Sequence, residues 1–485
     1  MYLAGTRGRQ LKTPQAIHMY QQLSIDRAAF DSLLSSVRDR ALAHLGALNH
    51  LPASRPHSST TSGSAKLPEE GAGAAAAIDA FFEQHADKLV ASPGPRYWGF
   101  VTGGATPAAL AGDWLTSVFD QNTQSVAGPG DRSAEVEVET IGLLLDLLGL
   151  PRHFNGGFVT GATMANFTGL VVGRQWAGEK LGKNIAREGV GEGVVVLSAT
   201  PHSSAVKCLS MMGLGSASLV PVATLPGDRE AIDIADLERQ LQAHAGKGII
   251  LVSSGGTVNS VDFDDMNAIA SLRKQYSFFW HIDAAFGAFA ALSPEHASLL
   301  AGWEAADSIA IDCHKWLNVP YDSAFYLVRK EHARAQLQSF QNSNAPYLGD
   351  PEQNFTYLNF GPENSRRFRA LPVWLTLKAY GREGYHQIVS DSIRYAQLFA
   401  QKLAAQTDFR IVAPVHLNVV CFSLKRDTPS LETVLRRLNA AGLVFVTPSV
   451  FNGTPCLRAA FVNWMTSEED IDIAIRALRS AVAEE

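Results

Sequence analysis

The sequence predicts an α/β protein: a mostly parallel central sheet covered by helices. Two observations predict it. Between about residues 106 and 380, short apolar runs alternate with amphipathic stretches of helical spacing. Polar residues and glycines gather just after the apolar runs, at the strand ends where open α/β sheets bind ligands. A chain of 485 residues is also too long for one small core and suits two or three domains.

Taken in order, residues 13–49 place Leu23, Phe30, Leu34, Val37, Ala41, Leu45 and Leu48 at helical spacing, which predicts an amphipathic arm. Leu51-Pro52 and the Ser/Thr/Gly stretch to about Ser64 read as an exposed linker. A second helix is expected over 74–89, broken by Pro93-Gly94-Pro95. Strands are expected at 157–160, 193–198, 219–222, 248–252, 278–282, 308–311 and 324–328. Helices are expected over 134–148, from the turn after residue 160 to Trp176, and over 234–243 and 264–274. A long helix over 371–404 is interrupted near 381–384. After it comes an α+β unit with strands near 419–424 and 457–461 and helices near 431–441 and 468–482. The expected division is a helical arm and linker (1–105), a large α/β domain (106–380) and a small C-terminal domain (381–485).

Hydrophobic residues at 46%, charged residues at 18% and a net charge of −6 describe an ordinary globular chain with no pull toward nucleic acid or anionic membrane. No apolar run reaches bilayer length, and Met1–Arg7 lacks the apolar core of a secretory signal, so a cytoplasmic location is expected. Cys208, Cys313, Cys421 and Cys456 form no C-x-x-C pair and read as free thiols rather than a zinc site or disulfide framework. Cys313 is expected to pack as a small apolar residue.

The chemistry centres on His314-Lys315-Trp316, which follows the apolar run from Ser308. A strand-end lysine in a cleft can lose its proton, and a neutral amine condenses with an aldehyde. Asp283 ends the preceding apolar run, followed by Ala284 and Ala285, small residues that leave room for a ring. An aspartate for a pyridinium nitrogen and an amine for an aldehyde are what pyridoxal phosphate requires. The other reading of Asp283 is a structural ion pair with a core arginine. His202, after the run 194–198, either stacks on the ring and shuttles a proton or caps the helix starting at Ser203 or Ser204. The turn from Thr160 to Asn166 either receives a phosphate on backbone N–H groups or is a tight βα turn without a ligand. Gly189, Gly191 and Gly193 precede a strand rather than opening a helix, so dinucleotide binding is not supported. Ser203 and Ser204 have no G-x-S-x-G around them, so a hydrolase elbow is not supported either.

These motifs, in order, resemble the group II pyridoxal-phosphate amino-acid decarboxylases, which include aromatic-L-amino-acid and glutamate decarboxylases. The likeness covers roughly residues 75–480. It rests on the turn from Gly161 to Asn166, Pro201-His202-Ser203-Ser204, Gly255-Gly256-Thr257 and His281–Ala285. His314-Lys315-Trp316, Arg366–Leu371 and Leu457-Arg458 complete it. The resemblance implies the fold type I of pyridoxal-phosphate transferases, and decarboxylation of an L-amino acid to the amine and carbon dioxide.

It further implies that Lys315 carries the cofactor, Asp283 pairs with the pyridine nitrogen, His202 stacks on the ring and Ala285 touches its other face. Ala162, Thr163 and His314 would hold the phosphate, and Thr257 would lie near the ring substituents. Tyr347, with Tyr357 as the alternative, would be the loop tyrosine that returns a proton to carbon. An obligate homodimer with the site at the subunit interface is implied too. An aminotransferase or aldehyde-forming decarboxylase on the same fold, or a non-catalytic cofactor-binding dimer, are the competing readings.

Three departures stand out. Met164 replaces a frequent glutamate, and Asp312 replaces an asparagine near the phosphate, where a second acid needs a donor or must point away. Gly99 replaces a bulky ring in the segment that lines the substrate pocket, which predicts a pocket of different shape.

Overall fold

Apolar runs that alternate with helices become strands buried on both faces. The computed structural model describes residues 20–56, 66–126, 130–341 and 355–483. The chain forms two units: residues 1–51 with 57–90, and residues 52–56 with 91–485. In the first, the expected arm is two helices, Gln21–Ala28 and Phe30–Ala47, parted at Ala29. The third helix, Ala74–Gln84, ends earlier than its spacing predicts and continues as a 3-10 turn, Ala86–Lys88. Arg40 pairs with Asp79 and lies over the Phe82 ring, and Asp26 accepts from Ala74 N–H at 3.1 Å.

The second unit holds seven strands in one sheet: β1 (Phe154–Val159), β2 (Val194–Ser198), β3 (Leu219–Pro221), β4 (Gly248–Ser254), β5 (Phe279–Asp283), β6 (Ser308–Asp312) and β7 (Ala324–Arg329). Their order is β1-β7-β6-β5-β4-β2-β3. Only β7 runs against its neighbours, β1 and β6; the other pairings are parallel. Every residue of β5 and β6 is buried, as expected of strands with helices on both faces. Period-two alternation divides them. Trp280, Ile282, Ile309 and Ile311 pack with Leu144 and Leu148 on one face, and Phe279 and Ala310 pack with Val172 on the other.

The helix Ala162–Lys180 crosses that second face. It comes close because Gly169 faces His281 and Ser308, where a Cβ would lie 2.8 Å from His281 Nδ1. The long helix Ala370–Ala404 breaks at Gly381, whose φ is +59°, within the interruption that the sequence marks.

Beyond it lies an antiparallel sheet of four strands, where the sequence reading expected two: β8 (Phe409–Ile411), β9 (Val419–Leu424), β10 (Thr447–Phe451) and β11 (Thr454–Ala460). They run in the order β10-β11-β9-β8. β10 and β11 are a hairpin closed by Asn452-Gly453, with φ +46° and +75°. Asn-Gly is the strongest short hairpin signal, so this element was readable from the sequence. Trp98 enters this sheet's core beside Phe399 and Phe461, and its backbone bonds Phe445 O and Ala460 N–H. Among the described residues, no helix is long and apolar enough to cross a membrane.

Candidate active site

A cavity of about 400 Å³ opens at the carboxyl ends of the parallel strands. Ala162, Thr163, His202, Thr257, Asp283, Ala285, His314 and Lys315 all line it. Sequence reasoning named these eight residues from five separate stretches, and the fold brings them together.

The turn after β1 is fixed from behind by a buried ion pair. Arg366 reaches Glu137 at 2.6 Å and the carbonyls of Thr123 and Phe158, while Glu137 accepts from Phe158 N–H at 2.8 Å. Two charges buried this deeply persist because both terminal guanidinium nitrogens find two acceptors each. Tyr357 lies flat under that guanidinium, 4.1 Å from it, and its hydroxyl bonds Gly156 O. It is fully buried, with its hydroxyl pKa raised well above the ordinary value by burial, and it does not line the cavity. The alternative loop tyrosine is therefore a core residue. Tyr347 lies outside the described residues.

Asp283, at the end of β5, accepts from Asn166 Nδ2 at 2.9 Å and from Ala285 N–H at 3.2 Å. Asn166 Oδ1 in turn meets His281 Nε2 at 2.8 Å, and His281 Nδ1 meets Ser308 Oγ at 2.7 Å. Burial pushes the His281 pKa down to about 3, so its ring is neutral. Nε2 must then carry the proton that Asn166 Oδ1 accepts, and the Ser308 hydroxyl donates to Nδ1. No arginine or lysine pairs with Asp283 among the described residues, so the core-arginine reading fails. Asn166 and His281 stood in motifs quoted above but received no role there; their spacing gave no hint of the relay.

His202 takes the capping part and also faces the cavity. Its Nδ1 lies 2.7 Å from Ser204 Oγ and accepts from Ser204 N–H at 3.2 Å, capping the helix Ser203–Met211, while the ring lines the cavity. Burial lowers its pKa and favours the neutral ring. His314 is likewise lowered by burial, and its ring stacks on Tyr321 at 4.2 Å. Lys315 Nζ lies 2.9 Å from Asp312 Oδ2, and Asp312 Oδ1 accepts from Ala162 N–H at 2.6 Å. The second acid thus finds its donors in the turn and the lysine. Cys313 is fully buried and its thiol pKa is raised by burial, as expected of a packing residue.

Two wall residues went unassigned in the sequence. Glu230 Oε2 accepts from Thr257 Oγ1 and Ser260 Oγ, both at 2.6 Å. The Arg458 side chain, on β11, makes no hydrogen bond or ion pair among the described residues, and its Nε is buried without a partner. Burial lowers the Arg458 pKa, the cost of taking a guanidinium out of water. Gly99 makes room for a ring from elsewhere in the chain. A Cβ there would lie 2.1 Å from Phe445 Cε1, so the Phe445 ring fills the space and stacks on Tyr97 at 4.7 Å. Gly99 itself does not line the cavity; Phe100, more than half exposed, does.

The donor set fits pyridoxal phosphate: a cleft lysine, a carboxylate held by neutral donors and without a cationic partner, a flat neutral imidazole, and small residues at Ala162 and Ala285. Comparison with known proteins agrees. The aromatic-L-amino-acid decarboxylase of Bacillus atrophaeus is 29% identical over 407 residues, 81% of this chain and 82% of that protein. A phenylacetaldehyde synthase of a Rosa hybrid cultivar is 26% identical over 404 residues, 78% of each chain. The crystal structure of Catharanthus roseus tryptophan decarboxylase with L-tryptophan superposes with a TM-score of 0.82 at 20% identity, covering 94% of this chain and 98% of that one, which establishes the fold. Residues 69–425 match the pyridoxal-dependent decarboxylase conserved domain. With its lysine, aspartate and histidine lining one cavity, the chain belongs to the pyridoxal-dependent decarboxylase family and is a pyridoxal-phosphate-dependent amino-acid carboxy-lyase.

Proposed function

We propose that the protein decarboxylates an aromatic L-amino acid to its amine, with Arg458 holding the substrate carboxylate. The observation that carries this reading is the unpartnered, buried Nε of Arg458 in the same cavity as Lys315. The exposed Phe100 ring on the wall supports an aromatic side chain, as do relatives named for aromatic amino acids.

In this reading Lys315 is the attachment point and Asp283, oriented by Asn166, keeps the pyridine nitrogen protonated. His202 and Ala285 flank the ring. Ala162, Thr163 and His314 receive the phosphate, and Thr257 faces the ring substituents. The bound cofactor supplies an electron sink for the pair left when carbon dioxide departs. His202, neutral and cavity-facing, moves a proton, and Tyr347 delivers one to the substrate carbon. Glu230 ties Thr257 in place.

The proposal extends to a homodimer in a reducing, cytoplasmic setting. On the helix Pro107–Phe119, Trp114, Leu115, Val118 and Phe119 are exposed, an apolar face that a second copy would cover. The four cysteines are free and buried, which suits a reducing compartment.

The test is a screen of amino acids for gas release by purified protein, with Lys315→Ala as control. Gas with amine from aromatic substrates is expected. A keto acid without gas, or an aldehyde with ammonia, would place the protein with the competing chemistries. Sedimentation at micromolar concentration checks the dimer.

A further inference from the structure

Asp312 ends β6 with its side chain almost fully buried. One oxygen holds the Ala162 N–H at 2.6 Å and the other holds Lys315 Nζ at 2.9 Å. His314 Nε2 stands 3.5 Å from the first oxygen. A single carboxylate therefore engages, at once, the first backbone donor of the turn assigned to the phosphate and the amine assigned to the cofactor aldehyde. Without it, an ammonium and a helix N-terminus would face each other across a buried cleft with no anion between them, a costly arrangement.

We propose that Asp312 is an internal placeholder for the cofactor: pyridoxal phosphate loads by displacing it from both Ala162 and Lys315. The inference rests on the roles given above to Lys315 and Ala162. On loading, the phosphate takes the Ala162 N–H. Lys315 Nζ, released from Asp312, gives a proton to solvent and condenses with the aldehyde, so that a C=N bond replaces the C=O bond and one water leaves. Asp312 then has neither of its former partners, and its charge faces a phosphate dianion. The same carboxylate that stabilises the cofactor-free protein therefore opposes loading.

Asp312→Asn tests this, because the amide keeps an acceptor for Ala162 N–H and loses the charge on Lys315. Cofactor-free full-length protein is mixed with pyridoxal phosphate and the visible absorbance of the lysine-bound cofactor is followed in time. D312N should load about tenfold faster than the parent chain, the equivalent of one charge-assisted contact. Its cofactor-free form should melt at a lower temperature, and inorganic phosphate alone should raise that melting temperature more than it does in the parent. Equal or slower loading, or equal responses to inorganic phosphate, would overturn the placeholder. If D312N does not fold, Asp312→Ser carries the same expectations. No lysine-bound absorbance in either protein would instead overturn the assignment of Lys315, and this inference with it.

Discussion

Asp283 and Arg458 both present a charge to the cavity, yet the protein holds them in opposite ways. Asp283 is gripped by Asn166 and by the Ala285 N–H, and Asn166 is itself aligned by His281 and Ser308. The Arg458 side chain has no hydrogen-bond partner among the described residues, and burial already works against its charge. In the proposed reading, the difference separates a resident ligand from a visiting one. A group that serves a permanently held cofactor gains from a fixed surround, because orientation is then settled before chemistry begins. A group that grips a substrate gains from being unsatisfied, because the ligand supplies the missing bonds.

The largest expected effect lies between these two charges. Lys315→Ala should lower turnover on the order of ten-thousand-fold, measured by gas release, and abolish covalent labelling after borohydride reduction. Arg458→Met breaks the comparison at its open end. The kcat/KM value should fall about a hundredfold or more, while cofactor affinity stays within about twofold. Because a lone buried charge is removed, the thermal midpoint of that variant should hold or rise. A fall in cofactor affinity with normal kcat/KM would reverse the roles of the two charges.

Asn166→Ala strikes the tied end: cofactor affinity should drop about tenfold by equilibrium titration, with a smaller loss in KM. Gly99→Ala, remote from both charges, should cost about 1–3 kcal/mol in denaturant unfolding, since its methyl meets the Phe445 ring.

The smallest effect is a slope. His281 titrates near 3 in the fold, and burial also lowers His202 and His314, against about 6.5 in an unfolded chain. These depressed pKa values contribute stability present above the unfolded value and lost as pH falls from about 6.5 toward 3, where only the unfolded chain takes up the protons. His281→Gln should make that acid-side decline shallower in thermal melts across the same window.

The parts legible in sequence were those written in local pattern. Strand β5 and strand β6 read as continuous apolar runs because both faces are covered, and their last residues, Asp283 and Asp312, mark the ligand edge. The cavity residues followed from residue type at strand ends. Long-range partnerships were not legible. Nothing near Asn166 says that its amide will meet Asp283, more than a hundred residues on. Nor does Arg366 announce that it will brace the turn after β1 through Glu137. Nothing near Gly99 says that the Phe445 ring, far along the chain, will lie against it. The β10–β11 hairpin was missed for a lesser reason: its Asn452-Gly453 signal was present and went unused.

Gly103 carries a consequence for the lysine's backbone. Its N–H bonds His314 O at 3.2 Å, and a side chain there would begin 1.6 Å from the Lys315 carbonyl. The reactive lysine is thus propped by a segment roughly two hundred residues earlier in the chain, a contact that closes a long loop and carries the entropy cost of doing so. A glycine outside the cavity therefore sets where the cavity's lysine can stand.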